Sequence, residues 1–167
     1  LGDLSDVSAT GEGSGGGFDA DTVDGLHASE LSGGGDKIFH AEDTNTNINN
    51  SNNLSWNNTI LNDSPYSFNG TTVTIQEEGW YEIEADADFR SRTERTNSNI
   101  GIQVNGNWAG VLGRSGYVRD RNGHDHASVH TRALQNLSSG DDVRVRGIRD
   151  ANSRTIVPDR AQFTIKK

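Results

Sequence analysis

Along most of the chain the apolar positions fall on every second residue. Tyr81, Ile83, Ala85, Ala87 and Phe89 alternate with Glu82, Glu84, Asp86 and Asp88, which predicts a long strand with one buried and one acidic face. Val73 and Ile75 alternate with threonines, and Ile100, Ile102 and Val104 repeat the period. So do Val143 and Val145 between arginines, and Ala161, Phe163 and Ile165 near the end. Asn69-Gly70, Asn105-Gly106 and Asn122-Gly123 punctuate these runs. A type I′ hairpin turn needs φ > 0 at both central residues, which Asn and Gly tolerate best. Glu78-Gly79 and Ser139-Gly140-Asp141 mark two more turns. Short strands, regular turns and no sustained helical period predict an all-β sandwich or barrel from Asp36 onward. Residues Asn45–Asn62 break the pattern; Asn-rich and irregular, they are expected to form a long exposed loop anchored by Trp56.

The first 36 residues are a different material. Gly-rich runs at 11–17 and 32–35 are flexible punctuation around Phe18–Leu31, where at most Ala28–Leu31 is a helical turn. The apolar residues there, Phe18, Val23, Leu26 and Leu31, are too few for a core. Either this segment is loose, or it buries them against copies of itself. The chain divides on this basis into residues 1–36 and 37–167.

Composition narrows the classes. No apolar run approaches the ~18 residues of a membrane helix, and the absence of Cys excludes disulfide, zinc-ribbon and thiol chemistry. A net charge of -9 argues against a nucleic-acid surface. Asp outnumbers Glu 16 to 8, and only 3 of 15 basic residues are Lys. Short carboxylates, Arg in place of Lys and a 31% apolar fraction are the surface expected in molar salt, where self-repulsion is screened within ~3 Å. With no Met anywhere, the sequence is expected to be a piece of a longer polypeptide.

Two resemblances follow from particular phrases. The run from Asp19 to Leu31, DADTVDGLHASEL, closely resembles an element that recurs in tail fibres of bacterial and archaeal viruses, with Val23 and Leu31 where Leu and Phe are usual. The opening Leu1–Val7 resembles a second tail-fibre phrase. In that family the element is a trimeric collar, which implies that role for Phe18, Val23, Leu26 and Leu31. The body resembles the trimeric jelly roll of the complement globular head and the tumour necrosis factors. The likeness lies in Gly79-Trp80-Tyr81-Glu82-Ile83, Ile102-Gln103-Val104-Asn105-Gly106, Leu137-Ser138-Ser139-Gly140-Asp141-Asp142-Val143 and Ala161-Gln162-Phe163-Thr164-Ile165. It implies a homotrimer of ten-stranded sandwiches with a short collar before it. Threefold association also suits a lean core, since buried apolar area contributes ~25 cal/mol per Å².

Together the resemblances imply the distal receptor-binding head of a viral tail fibre, at the tip of the virion, and the salt-adapted composition points to a virus of halophilic archaea. The head's partners would be two further copies, upstream tail-fibre or baseplate proteins, and a host surface glycan or surface-layer glycoprotein. No cofactor, nucleic acid or membrane insertion is expected. The alternative is a secreted or cell-surface adhesion or carbohydrate-binding protein with the same head.

Candidate chemistry is sparse. Trp108 follows the Asn105-Gly106 turn, and Gly113–Arg121 is expected as a Gly-bounded loop carrying Arg114, Tyr117, Arg119 and Arg121. Sugar rings stack on such aromatics, and Arg forks onto hydroxyls and carboxylates. The competing reading places Trp108 and Tyr117 in the trimer interface. His124, His126 and His130 share a face if Gly123–Arg132 is a strand, so a metal is conceivable, against the plainer reading of polar residues on a hydrated strand. The acidic positions 82–88 read as a solvated, salt-adapted face. Residues 19–30 count superficially like a calcium loop, but Gly stands at position 7 instead of 6. With no nucleophile, phosphate-loop or metalloprotease motif, the chain is expected not to be an enzyme.

Overall fold

The computed structural model describes residues 22–23, 26–27, 35–44, 46–48, 51–90, 96–118, 125–149 and 157–167. The chain splits into two compact units, Leu1–Gly35 and Asp36–Lys167. In the first, β1 (Thr22–Val23) pairs antiparallel with β2 (Leu26–His27), setting Val23 opposite Leu26. Phe18, Leu31 and the expected helical turn lie outside the described residues.

The second unit holds β3 (Ile38–Glu42), β4 (Ser51–Asn53), β5 (Asn58–Asn62), β6 (Tyr66–Phe68), β7 (Val73–Ile75) and β8 (Gly79–Arg90). It continues with β9 (Thr96–Val104), β10 (Asn107–Val118), β11 (His126–Leu137), β12 (Asp142–Arg149) and β13 (Val157–Lys166). A five-stranded sheet runs β11-β8-β13-β3-β5, and a six-stranded sheet runs β10-β9-β12-β7-β6 with β4 also on β12. All pairings are antiparallel, as the jelly-roll expectation requires. Among the described residues these strands number eleven, one more than the resemblance implies.

Alternation decides which side of each strand is inside. Tyr81, Ile83, Ala85 and Phe89 of β8 are fully buried, as are Ile100, Ile102, Val143 and Val145 of the facing sheet. Aromatic rings pack together within the core: the Phe163 ring centroid lies 5.5 Å from both Phe39 and Trp56, stacked on the latter. The Tyr66 hydroxyl donates to the Lys37 carbonyl at 2.7 Å, so its polar tip is satisfied.

Two segments depart from expectation. The stretch 45–62 is not simply an exposed loop, since β4 and β5 lie in it and Ile48, Leu54 and Trp56 are buried. Gly147 makes the room: a Cβ there would stand 2.3 Å from Ile48 Cδ1 and 3.3 Å from Leu54 Cδ2. The expected loop at 113–121 is strand as far as Val118, interrupted by register shifts between Ala109 and Gly113 and between Arg114 and Tyr117. Glycine reads as a breaker in the sequence, yet at position 113 it lets β10 reach β11 of the other sheet. A Cβ on Gly113 would fall 2.2 Å from the His130 carbonyl oxygen, and the Thr131 hydroxyl donates to the Val111 carbonyl at 2.8 Å nearby.

The Asn105-Gly106 turn has φ of 50° and 83°, as a type I′ turn requires. It is clasped to the turn before β12. Asn105 Nδ2 donates to Asp141 Oδ1 at 2.7 Å, and the Asp142 amide donates to Asn105 Oδ1 at 2.9 Å.

Candidate recognition surfaces

The outer faces of the two sheets differ in chemistry. On the five-stranded sheet, the outward residues of β8 meet cationic or neutral donors from β11 and β13. Arg132 pairs with Glu82 through Nη2 and with Glu84 through Nε at 3.4 Å. His130 Nδ1 lies 2.8 Å from Asp86 Oδ1, and Gln162 Nε2 donates to the other Asp86 oxygen at 2.9 Å. His126 Nδ1 lies 3.3 Å from Asp88, and His40 lies between Thr164 at 2.7 Å and Glu42 at 3.2 Å. The face is therefore a ladder of partnered carboxylates that stay partly open to solvent. Its partners sit on neighbouring strands, and strand register brings them opposite. A groove of about 540 Å³ opens on this ladder, lined by Glu42, Asp43, Asp86, Asp88, Arg160 and Gln162 among others.

Trp80 and Leu134 break the ladder's polarity. Both stand outward and remain 63% and 64% exposed. Register sets Leu134 opposite Glu82 and Trp80 opposite Asn136, so the two are diagonal neighbours. Neither was singled out in the sequence, although the signal was present. Trp80 is in phase with Glu82 and Glu84, on the side that alternation marks as solvent.

The histidines do not converge. His126 and His130 share the outer face, as even spacing predicts, but each is held by its own carboxylate. Desolvation raises the Asp125 carboxyl, but hydrogen bonds from its own backbone amide and Arg90, with the charges of His126 and Arg90, together outweigh it and hold the group below its usual range. Among the described residues no group of three side chains is placed to hold a metal, and His124 lies outside them.

On the six-stranded sheet, Trp108 is opposite Gln103, Arg114 opposite Asn99 and Tyr117 opposite Asn97. All three candidates therefore share one outer face, on the sheet that does not carry Trp80 and Leu134. They do not form one tight patch. Trp108 and Tyr117 pair with residues six positions apart on β9, roughly 20 Å along the strand. Both are accessible, at 45% and 50%. Arg119 and Arg121 lie outside the described residues.

No protein-family model matches the chain, and no curated protein does. Solved structures do share its architecture. A crystal structure of murine APRIL at pH 8.0 superposes with a TM-score of 0.56 at 15% identity, covering 80% of this chain and 99% of that one. The globular domain of zebrafish complement 1qA protein gives 0.51 at 14% identity, covering 78% and 94%. The fold is thus the jelly roll of the tumour necrosis factors and complement heads.

Proposed function

We propose that the chain is the distal receptor-binding head of a viral tail fibre, adapted to a halophilic archaeal host, and that it acts by trimeric adhesion without catalysis. The observation that carries the reading is the division of labour between faces. The five-stranded sheet offers Trp80 and Leu134, an apolar pair suited to burial against further copies, while Trp108, Arg114 and Tyr117 stand accessible on the other sheet. Residues 1–36, through Phe18, Val23, Leu26 and Leu31, form the collar that trimerises the fibre and joins upstream tail proteins. Residues 37–167 carry the head. Three copies present three equivalent sites, so weak individual contacts multiply into avidity. The tail-fibre phrase in the collar supports the viral assignment, and the Asp-rich, Lys-poor composition supports the saline setting.

Adsorption of the fluorescently labelled full chain to halophilic archaeal cells in molar salt tests this. Saturable binding, competed by unlabelled chain and lost after the surface-layer glycoprotein is stripped, is the expected result. Binding that never saturates and ignores competitor would contradict it.

A further inference from the structure

We propose that the outer face of the six-stranded sheet around Trp108 is a glycan subsite that takes one pyranose ring; the inference rests on the adhesion reading and names the ligand class. Gly101 of β9 is its foundation. A Cβ there would stand 2.6 and 2.9 Å from Trp108 Cζ3 and Cε3 and 2.3 Å from Leu112 Cδ2. The indole's six-membered ring thus rests on bare backbone, wedged beside Leu112, and the side chain keeps 45% of its surface in solvent. An aromatic held in this way loses little rotamer freedom on binding.

Polar groups stand ready beside it. Gln103 lies directly opposite both Trp108 and Arg144, across β10 and β12. It is only 3% exposed. Its Nε2 donates to the Gly106 carbonyl at 3.1 Å, which aims the amide along the Asn105-Gly106 turn. Its Oε1 is buried without a hydrogen-bond partner among the described residues, and so is Arg144 Nε on the adjoining strand. A buried acceptor or donor left unpaired is destabilising, so each is a standing demand for a ligand atom. A hydroxyl both donates and accepts, so ring hydroxyls have the chemistry that Gln103 Oε1, an acceptor, and Arg144 Nε, a donor, each lack.

The combination selects among stacking ligands. The apolar C–H face of a pyranose matches the indole, and its equatorial hydroxyls match the flanking amide and guanidinium. A nucleotide also stacks, but its phosphates would meet a chain of net charge -9. An aliphatic side chain would leave both polar atoms unsatisfied. A single shallow ring site is weak, in the millimolar range of ~4 kcal/mol, and three per trimer make it useful.

The test is saturation-transfer NMR on the full chain in molar salt, with methyl glucoside, methyl galactoside, methyl mannoside and methyl glucuronide as probes. Transfer concentrated on one face of at least one ring is expected. It should be lost in Trp108→Ala and weakened about tenfold in Gln103→Leu, which keeps the shape but removes the amide. Gly101→Ala is the second variant, because its methyl displaces the indole without deleting it; it too should lose the signal. No transfer to any of the four rings, or transfer undiminished in Trp108→Ala, overturns the site. Adsorption to cells that is unchanged in Trp108→Ala also overturns it while leaving the adhesion reading intact.

Discussion

Replacing Asp141 by Ala should loosen the clasp between the two turns, leaving, of its side-chain bonds, only the one from the Asp142 amide to Asn105 Oδ1. The carboxylate takes the Ser138 amide at 2.8 Å and Asn105 Nδ2 at 2.7 Å. Hydrogen bonds to a charged group contribute ~1.5–3 kcal/mol when shielded, and about 1 kcal/mol each on a carboxylate this close to solvent. The expected loss is therefore about 2 kcal/mol, or ~7 °C in Tm for a body of this size. The Ser138 amide and the Asn105 side chain hold the Asp141 carboxyl below its ordinary range. A depressed carboxylate contributes fully above its unfolded value of ~3.9, and the contribution is lost as pH falls through the lowered folded value. The gap in Tm between wild type and Asp141→Ala should accordingly be constant from pH 7 to about 5 and shrink below about 4. Asp141→Asn keeps one acceptor and should lose less. Calorimetry at pH 7 and pH 3 in the same molar salt measures all three proteins. An Asp141→Ala gap that is equal at both values, or below about 1 °C at pH 7, would refute the clasp.

Other expectations test assembly and environment. Leu134→Asp should leave the isolated subunit folded, because the side chain is already 64% exposed. It should weaken a trimer about a thousandfold or more, since each copy loses ~1.5 kcal/mol of apolar burial and gains a carboxylate to desolvate; sedimentation equilibrium reads this, and an unchanged mass refutes the interface. Phe163→Ala removes a fully buried ring that touches Phe39 and Trp56, and should cost ~3–5 kcal/mol in denaturant melts. A loss under about 1 kcal/mol would mean the aromatic cluster is not packed as described. Tm should fall steeply below ~0.5 M salt as carboxylate repulsion is unscreened, and a flat profile would remove the halophile reading.

How far the sequence could be read depended on whether a strand has one buried face. Residues 81–89 and 100–104 alternate strictly because their inner side chains fill the core, so the class was legible, as was the Asn105-Gly106 turn. At Asn69-Gly70 only the glycine has positive φ, so that turn is not type I′, and Asn122-Gly123 lies outside the described residues. β10 was not legible. Its Gly113 and Gly116 read as loop residues, whereas 113, like 110 before it, is small because β11 passes too close for a Cβ. Segment 45–62 was misread for a similar reason. Its buried residues Ile48 and Leu54 plug a gap over Gly147, while Trp56 anchors the segment by stacking on Phe163, and a plug has no periodicity. At the candidate surfaces the residue types were visible, but their grouping was not. That Asp86 would meet both His130 and Gln162 depends on the register of three strands distant in sequence. The separation of Trp108 from Trp80 onto different sheets likewise follows from topology alone.

The central claim is that a jelly-roll head works as a trimer, with recognition on the sheet left outside the assembly. Multi-angle light scattering on the full chain in molar salt, at micromolar concentration, addresses it most directly. Three times 18.0 kDa is the predicted mass. A stable species of 18.0 kDa under those conditions would contradict the account.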